Sequence, residues 1–205
     1  MREDESHFDR TAARTTARLA QDFGLSAKQL SLLSTRADAI PKPGQKIPGD
    51  ASGAVIAIGG IAVARQPVTV GEYRRFVAAT GRASALCREK ASVLRVFKPR
   101  DWKQPGFAQG DGDPVVCVSI ADAEAYARWR SQKTGHRYRL PDAAESQQLT
   151  AGASARAVSL WSKACSLNCD RRQALGLSWR NSRSNRPLLA NRGYDDVGFR
   201  LVREL

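Results

Sequence analysis

The 205-residue chain has two histidines and four cysteines, and each scarcity closes a route. Two histidines, His7 and His136, cannot furnish a three-histidine centre, so mononuclear iron chemistry of that kind is excluded by count. Four cysteines are too few for a disulfide-built scaffold at this length. No apolar run approaches the roughly 20 residues that cross a bilayer; Ala54 to Ala64 is short, broken by Gly59-Gly60, and suited to strands. A nucleophile elbow, a phosphate loop and a kinase signature are also missing. The first residues, Met1-Arg-Glu-Asp-Glu-Ser-His7, are charged and lack the apolar stretch of a secretory signal, so a cytoplasmic chain is expected.

What the chain does carry is positive charge, +13 in all. Residues 1–50 hold eight basic and seven acidic groups and the remainder 25 and 13, so the excess belongs to the main domain. Such a surface attracts acidic proteins, anionic lipid or nucleic acid. The arginines are scattered singly, without a Lys/Arg block, a recognition-helix pattern or a zinc-finger spacing, so specific nucleic-acid binding is not expected. Cys117 lies in Pro114-Val-Val-Cys-Val-Ser119, which reads as a buried strand with the cysteine as a core residue.

Three regions follow from patterning. Residues 1–39 carry Phe8, Ala12, Leu19, Phe23, Leu30 and Leu33 at roughly helical intervals, with a break at Gly24-Leu-Ser26 where Ser26 caps a second helix. Residues 40–53 contain three prolines and three glycines and read as a linker. The main domain is expected over 54–205. It opens with strands Ala54-Val-Ile-Ala-Ile and Ile61-Ala-Val-Ala around a Gly59-Gly60 turn. Thr69 and Glu72 have the spacing of a capping box for a helix that buries Tyr73, Phe76 and Val77 and stops at Gly81. Residues 82–113 are irregular, with Phe97, Trp102 and Phe107 pinning a long loop onto the core. Ser119 or Asp122 caps a second helix running to Thr134 and ended by Gly135, after which Tyr138-Arg-Leu-Pro141 is extended.

Three segments, in this order, resemble motifs of the formylglycine-generating (sulfatase-modifying factor) family. They are Pro67 to Gly81, Pro114 to Trp129 continuing through Thr134-Gly-His-Arg-Tyr-Arg-Leu-Pro141, and a closing strand Gly198-Phe-Arg-Leu-Val202. The stretch from Gly176-Leu-Ser-Trp179 to Arg200 is similar to the family's C-terminal signature. The resemblance implies a C-type-lectin-like α+β domain with a small antiparallel sheet, two flanking helices and much irregular structure, here preceded by a short helical region.

The departures are as informative. Asp142-Ala-Ala-Glu145-Ser146 keeps the family's glutamate but has serine where a tryptophan belongs. The following segment, Gln147 to Ser159, is short and contains no carboxylate, so no calcium is expected, because that ion needs six to eight oxygen ligands. The family's catalytic cysteine pair, which holds copper, would lie two and seven residues after Trp179. Those positions are Asn181 and Arg186, an amide and a guanidinium that cannot replace soft thiolates. The chain is thus read as a shortened member without the catalytic pair, a pseudoenzyme with no metal and no cofactor. Cys165-Ser-Leu-Asn-Cys169 is read as a structural disulfide or two reduced loop cysteines, with a relocated metal site as the alternative.

If the family cleft persists, Ser178, Trp179, Arg180, Asn181, Arg183, Asn185, Arg186, Asn191, Arg192, Tyr194 and Asp195 line or border it. Arginine forks suit carboxylates and phosphates, and Trp and Tyr supply contact area at low entropic cost. Trp179 is expected to fill the core, whereas Arg180, Asn181, Arg183 and Asn185 are expected to be exposed. The favoured function is a non-catalytic, protein- or ligand-binding regulatory module of bacterial signalling or secretion. Its partner would be a protein or acidic ligand at the C-terminal cleft, or a kinase or other domain of a longer polypeptide. The alternatives are a sulfatase-modifying oxidoreductase with a relocated site and a variable ligand-binding protein of a diversity-generating retroelement.

Overall fold

The computed structural model describes residues 24, 26, 28, 29, 55–58, 60–64, 66–87, 100–148, 157–165, 169–183 and 185–205. The chain divides into two compact units, Met1–Lys42 and Pro43–Leu205. In the first, Lys28 and Gln29 are helical. The Ser26 hydroxyl accepts from the Gln29 amide while the Ser26 amide donates to the Gln29 side chain, the reciprocal pattern of a helix cap. The rest of the expected helical region, the 40–53 linker and Phe97 lie outside the described residues.

The second unit begins with strands β1 (Val55–Ile58) and β2 (Ile61–Ala64), an antiparallel hairpin in which Ile58 faces Ile61 across the turn. Helix α1 (Val70–Thr80) follows, with Thr69 and Glu72 forming the capping box. Helix α2 (Ile120–Thr134) repeats the device with Ser119 and Asp122. Each helix ends on a glycine in the left-handed region, Gly81 and Gly135, whose N–H satisfies a last-turn carbonyl. Arg82, just beyond the end of α1, donates to buried Asp122 at 2.8 Å and so ties the end of α1 to the start of α2. Tyr73 lies buried near this pair; burial first, and then the Asp122 charge, push its phenol above its ordinary range, so it stays neutral.

Two four-stranded sheets complete the unit. The first has the order β1-β2-β8-β3, with β3 at Tyr138–Arg139 and β8 at Val202–Glu204. The second has the order β6-β5-β4-β7, formed by β4 (Ser159–Cys165), β5 (Arg171–Leu175), β6 (Asn185–Leu189) and β7 (Val197–Gly198). Between β3 and β4 lies the short helix α3 (Ala143–Gln148). The core gathers Tyr73, Phe76, Trp102, Tyr126, Trp161 and Phe199 with Val115 to Val118. Trp161 is wholly buried and donates its indole N–H to the Val118 carbonyl at 2.9 Å, so its polar edge costs nothing.

Three expectations are corrected. Val115–Ser119 is buried, but the Pro114–Ser119 segment belongs to neither sheet. Val115 donates to the Val68 carbonyl and Cys117 to that of Tyr194, and Cys117 has a φ of 60°, which interrupts an extended run. Cys117 is a core residue as expected, yet it is disulfide-bonded to Cys87. Closing that loop, with a sequence separation of 30, restricts the unfolded chain by about 3–4 kcal/mol. The closing strand is not continuous: β7 pairs parallel with β4, whereas β8 pairs with β2 and β3, and Phe199 and Leu201 between them enter the core.

Glu145, the acid kept after Pro141, has a clear role. Arg139 donates to both of its carboxylate oxygens, at 2.6 and 2.7 Å, and to Glu204 on β8 at 3.0 Å. The Arg139 hydrogen bond holds the Glu145 carboxyl below its ordinary range of 4.5. A lowered folded-state value means stability that is present above the ordinary value and lost as pH falls from there through the folded-state value. Glu145→Gln should therefore flatten the loss of stability on acidification below about pH 4.5, as read by denaturant midpoints across pH. Gly193→Ala tests the packing instead. A Cβ there would lie 2.4 Å from the Cys117 carbonyl carbon, a backbone atom that cannot turn away. We expect a loss of about 2–3 kcal/mol in urea unfolding.

Candidate recognition site

Beyond β5 the chain turns tightly at Ser178-Trp179-Arg180-Asn181. Ser178 and Asn181 exchange backbone hydrogen bonds at 3.1 Å in both directions, which leaves Trp179 and Arg180 at the tip. The Asn181 amide N–H also donates to the Ser178 hydroxyl oxygen, and the Asn181 side-chain carbonyl accepts from the Arg183 amide at 2.8 Å. Asn181 is thus used to close the turn and set the chain beyond it. The Trp179 N–H donates to the Ala157 carbonyl at 2.9 Å, fastening the tip to the residues that lead into β4.

Two adjacent acids receive this turn. Asp196 accepts from the Ser178 hydroxyl at 2.6 Å and from Arg186 at 2.8 Å. Arg186 sits on β6 opposite Ala174, with its side chain only 12% exposed and that of Asp196 4%. The same Arg186 nitrogen donates to the Ser159 hydroxyl, which in turn donates to the Gly176 carbonyl. Its neighbour Asp195 is buried and forms an ion pair with Arg180. The Arg180 guanidinium also lies 4.2 Å from the centre of the Trp179 ring.

Trp179 is not a core residue. It is 41% exposed, and Phe107 meets it edge-on with ring centroids 5.8 Å apart. The turn geometry overrides the usual preference of tryptophan for the interior, because a two-residue tip holds its side chain at the surface. Leu177 beside it is also exposed.

The remaining expected residues divide. Arg183, Asn185 and Asn191 are exposed and Arg192 is half-buried. Tyr194 turns inward: its ring packs edge-on against Trp161 and its hydroxyl accepts from the Leu189 amide at 3.0 Å. Arg186 is likewise internal. Asp196 and Ser159 carry no signal in the sequence, and Phe107, expected only to pin its loop onto the core, also meets Trp179. Asp196 stands beside Asp195, which the sequence did single out, and only its distant arginine partner marks it as buried.

The family's copper does not fit here. The Asn181 amide is engaged within the turn, and the Arg186 guanidinium is a cation already paired with Asp196. Neither offers the soft anionic sulfur that cuprous ion selects. Among the described residues, no group of three or more His, Cys, Asp or Glu is placed to hold a metal ion. Among the described residues, no helix is long and apolar enough to cross a membrane.

The two sheets, the two capped helices and the long irregular segments define an α+β domain of the C-type-lectin-like type. The sulfatase-modifying factor enzyme 1-like domain matches residues 42–191, and the chain belongs to that family. Among solved structures the chain is similar to PvdO from Pseudomonas aeruginosa, at 20% identity and a TM-score of 0.63, covering 80% of this chain and 99% of that one. It is also similar to CarF, at 16% identity and a TM-score of 0.49, over 71% of this chain and 86% of that one. A search of curated proteins finds no match.

Arg186→Ala should cost about 3–5 kcal/mol, because it leaves Asp196 buried and unpaired. Arg183→Ala, on an exposed side chain, should cost less than about 0.5 kcal/mol. Urea denaturation of the two variants measures the contrast.

Proposed function

We propose that the chain is a non-catalytic binding module of its family, with the Ser178–Asn181 turn as the centre of a surface for a protein or acidic ligand. The observation that carries this reading is the use of Asn181 and Arg186. At the positions where the resemblance places a thiol pair, both side chains serve the internal structure. Trp179 and Arg183 are left at the surface of a chain with a net charge of +13, which supports an acidic partner. A place in bacterial signalling or secretion fits a module of this kind. A relocated copper site at Cys165 and Cys169 would need further ligands beside the two sulfurs, and among the described residues no group of three or more His, Cys, Asp or Glu is placed to hold a metal ion.

Two measurements test this. Incubated with copper and a cysteine-containing sulfatase-motif peptide, the purified chain should form no aldehyde, and sustained turnover would overturn the reading. In a pull-down from cells of the source organism, Trp179→Ala and Arg183→Ala should each lower partner recovery by about ten-fold or more. Recovery equal to wild type in both variants would remove this surface from consideration.

A further inference from the structure

The two disulfides lie in opposite surroundings. Cys87 and Cys117 are buried members of the main hydrophobic core, with the backbone of Gly193 against Cys117. Cys165 and Cys169 are both exposed. Cys165 is the last residue of β4, and Cys169 stands shortly before β5 begins at Arg171, so the pair closes the tip of the β4–β5 hairpin. This tip lies at the end of β5 away from the Ser178–Asn181 turn.

The charges around the exposed pair are mostly positive. Arg172 stands opposite Cys165 in the strand register and donates to the Lys163 carbonyl at 2.7 Å, which holds its guanidinium against this end of the hairpin. Lys163 and Arg171 are exposed, and Asp170 is the one acid in the stretch from Lys163 to Arg172. Cations beside a cysteine favour its thiolate, and a sulfur that is stable as thiolate is the better leaving group in exchange. Exchange also requires that the incoming sulfur reach the bond, which exposure permits at Cys165–Cys169 and burial denies at Cys87–Cys117.

We propose that Cys165–Cys169 is a thiol–disulfide exchange site whose co-substrate is a thiol, either a low-mass monothiol or the dithiol of a redox protein. The donor's thiolate attacks one of the two sulfurs; the Cys165–Cys169 bond breaks, a mixed disulfide forms, and the other cysteine leaves as thiolate. A second donor thiol, or the second cysteine of a dithiol, then attacks the mixed disulfide. Two electrons pass to the cysteine pair, the two donor thiol protons end on Cys165 and Cys169, and the donor departs as its own disulfide. The assignment is independent of the reading of the Ser178–Asn181 turn.

The test uses the intact, oxidised chain under native conditions. Reduced glutathione in one arm and reduced thioredoxin in the other are added, aliquots are quenched with N-ethylmaleimide, and labelled cysteines are mapped by mass spectrometry. Cys165 and Cys169 should be labelled at least about 100-fold faster than Cys87 and Cys117, with a transient glutathione adduct on one of them in the first arm. Fast labelling with glutathione identifies a low-mass thiol as sufficient, and fast labelling with thioredoxin alone identifies a protein dithiol. In Cys165→Ser/Cys169→Ser the fast phase should vanish while the slow phase remains. Equal rates at the two disulfides, or a fast phase that survives the double substitution, would overturn the proposal.

Discussion

Two neighbouring carboxylates, Asp195 and Asp196, enter the interior beside the second sheet, and this end of the fold is arranged around neutralising them. An unpaired buried carboxylate costs several kcal/mol, so each must meet a cation or a hydrogen-bond donor. Asp196 meets Arg186 from β6 and the Ser178 hydroxyl from the turn, and its backbone carbonyl accepts from Ser159 at the start of β4. Asp195 meets Arg180 from the tip of the same turn. One dipeptide therefore fastens β4, β6 and the turn, pieces that short strands alone would leave weakly joined.

That arrangement alters what the surface offers a ligand. From sequence the Arg180 fork suits a carboxylate ligand, but its charge is already balanced by Asp195, so an incoming acid would compete with a buried partner. Trp179 gains what Arg180 gives up. The guanidinium lies over its ring and Phe107 meets its edge, which holds an exposed aromatic group in place before any partner arrives. A contact made by a preorganised tryptophan loses little entropy on binding. On the proposed reading, specificity for an acidic partner would rest on Arg183 and the field of the whole basic domain rather than on a single arginine pair.

The parts of the fold that were legible in the sequence are those with local signals. Thr69 with Glu72 and Ser119 with Asp122 act within a single turn, and Gly81 and Gly135 act at one position, so both long helices could be placed from sequence. The Gly59-Gly60 turn placed the first hairpin for the same reason. Strands β4 to β6 gave no such signal, because β4 mixes serine and lysine with its tryptophan and β6 carries a largely buried arginine paired in register with Ala174. Arg186 reads as a residue of the cleft until Asp196 is brought to it, and Cys117 reads as a plain core residue until Cys87 is. Both pairings are made by the tertiary fold, which a scan of neighbouring residues does not contain. The candidate site was legible as a segment; which of its side chains face outward was set by the turn geometry and the Asp195–Asp196 pairings.

The same chain is thus held by fastenings that answer to different chemistry. The Cys87–Cys117 bond and the close approach of Gly193 sit where neither thiol nor water arrives readily, so they respond only when the core itself opens. The Arg139–Glu145 pair yields to acid, since protonating Glu145 removes the charge that Arg139 stabilises. At the β4–β5 tip the remaining disulfide lies outside the core and constrains only a short loop, so opening it releases little of the fold. A bond that contributes less stability than its buried counterpart and faces solvent is the one suited to change state while the domain around it stays folded.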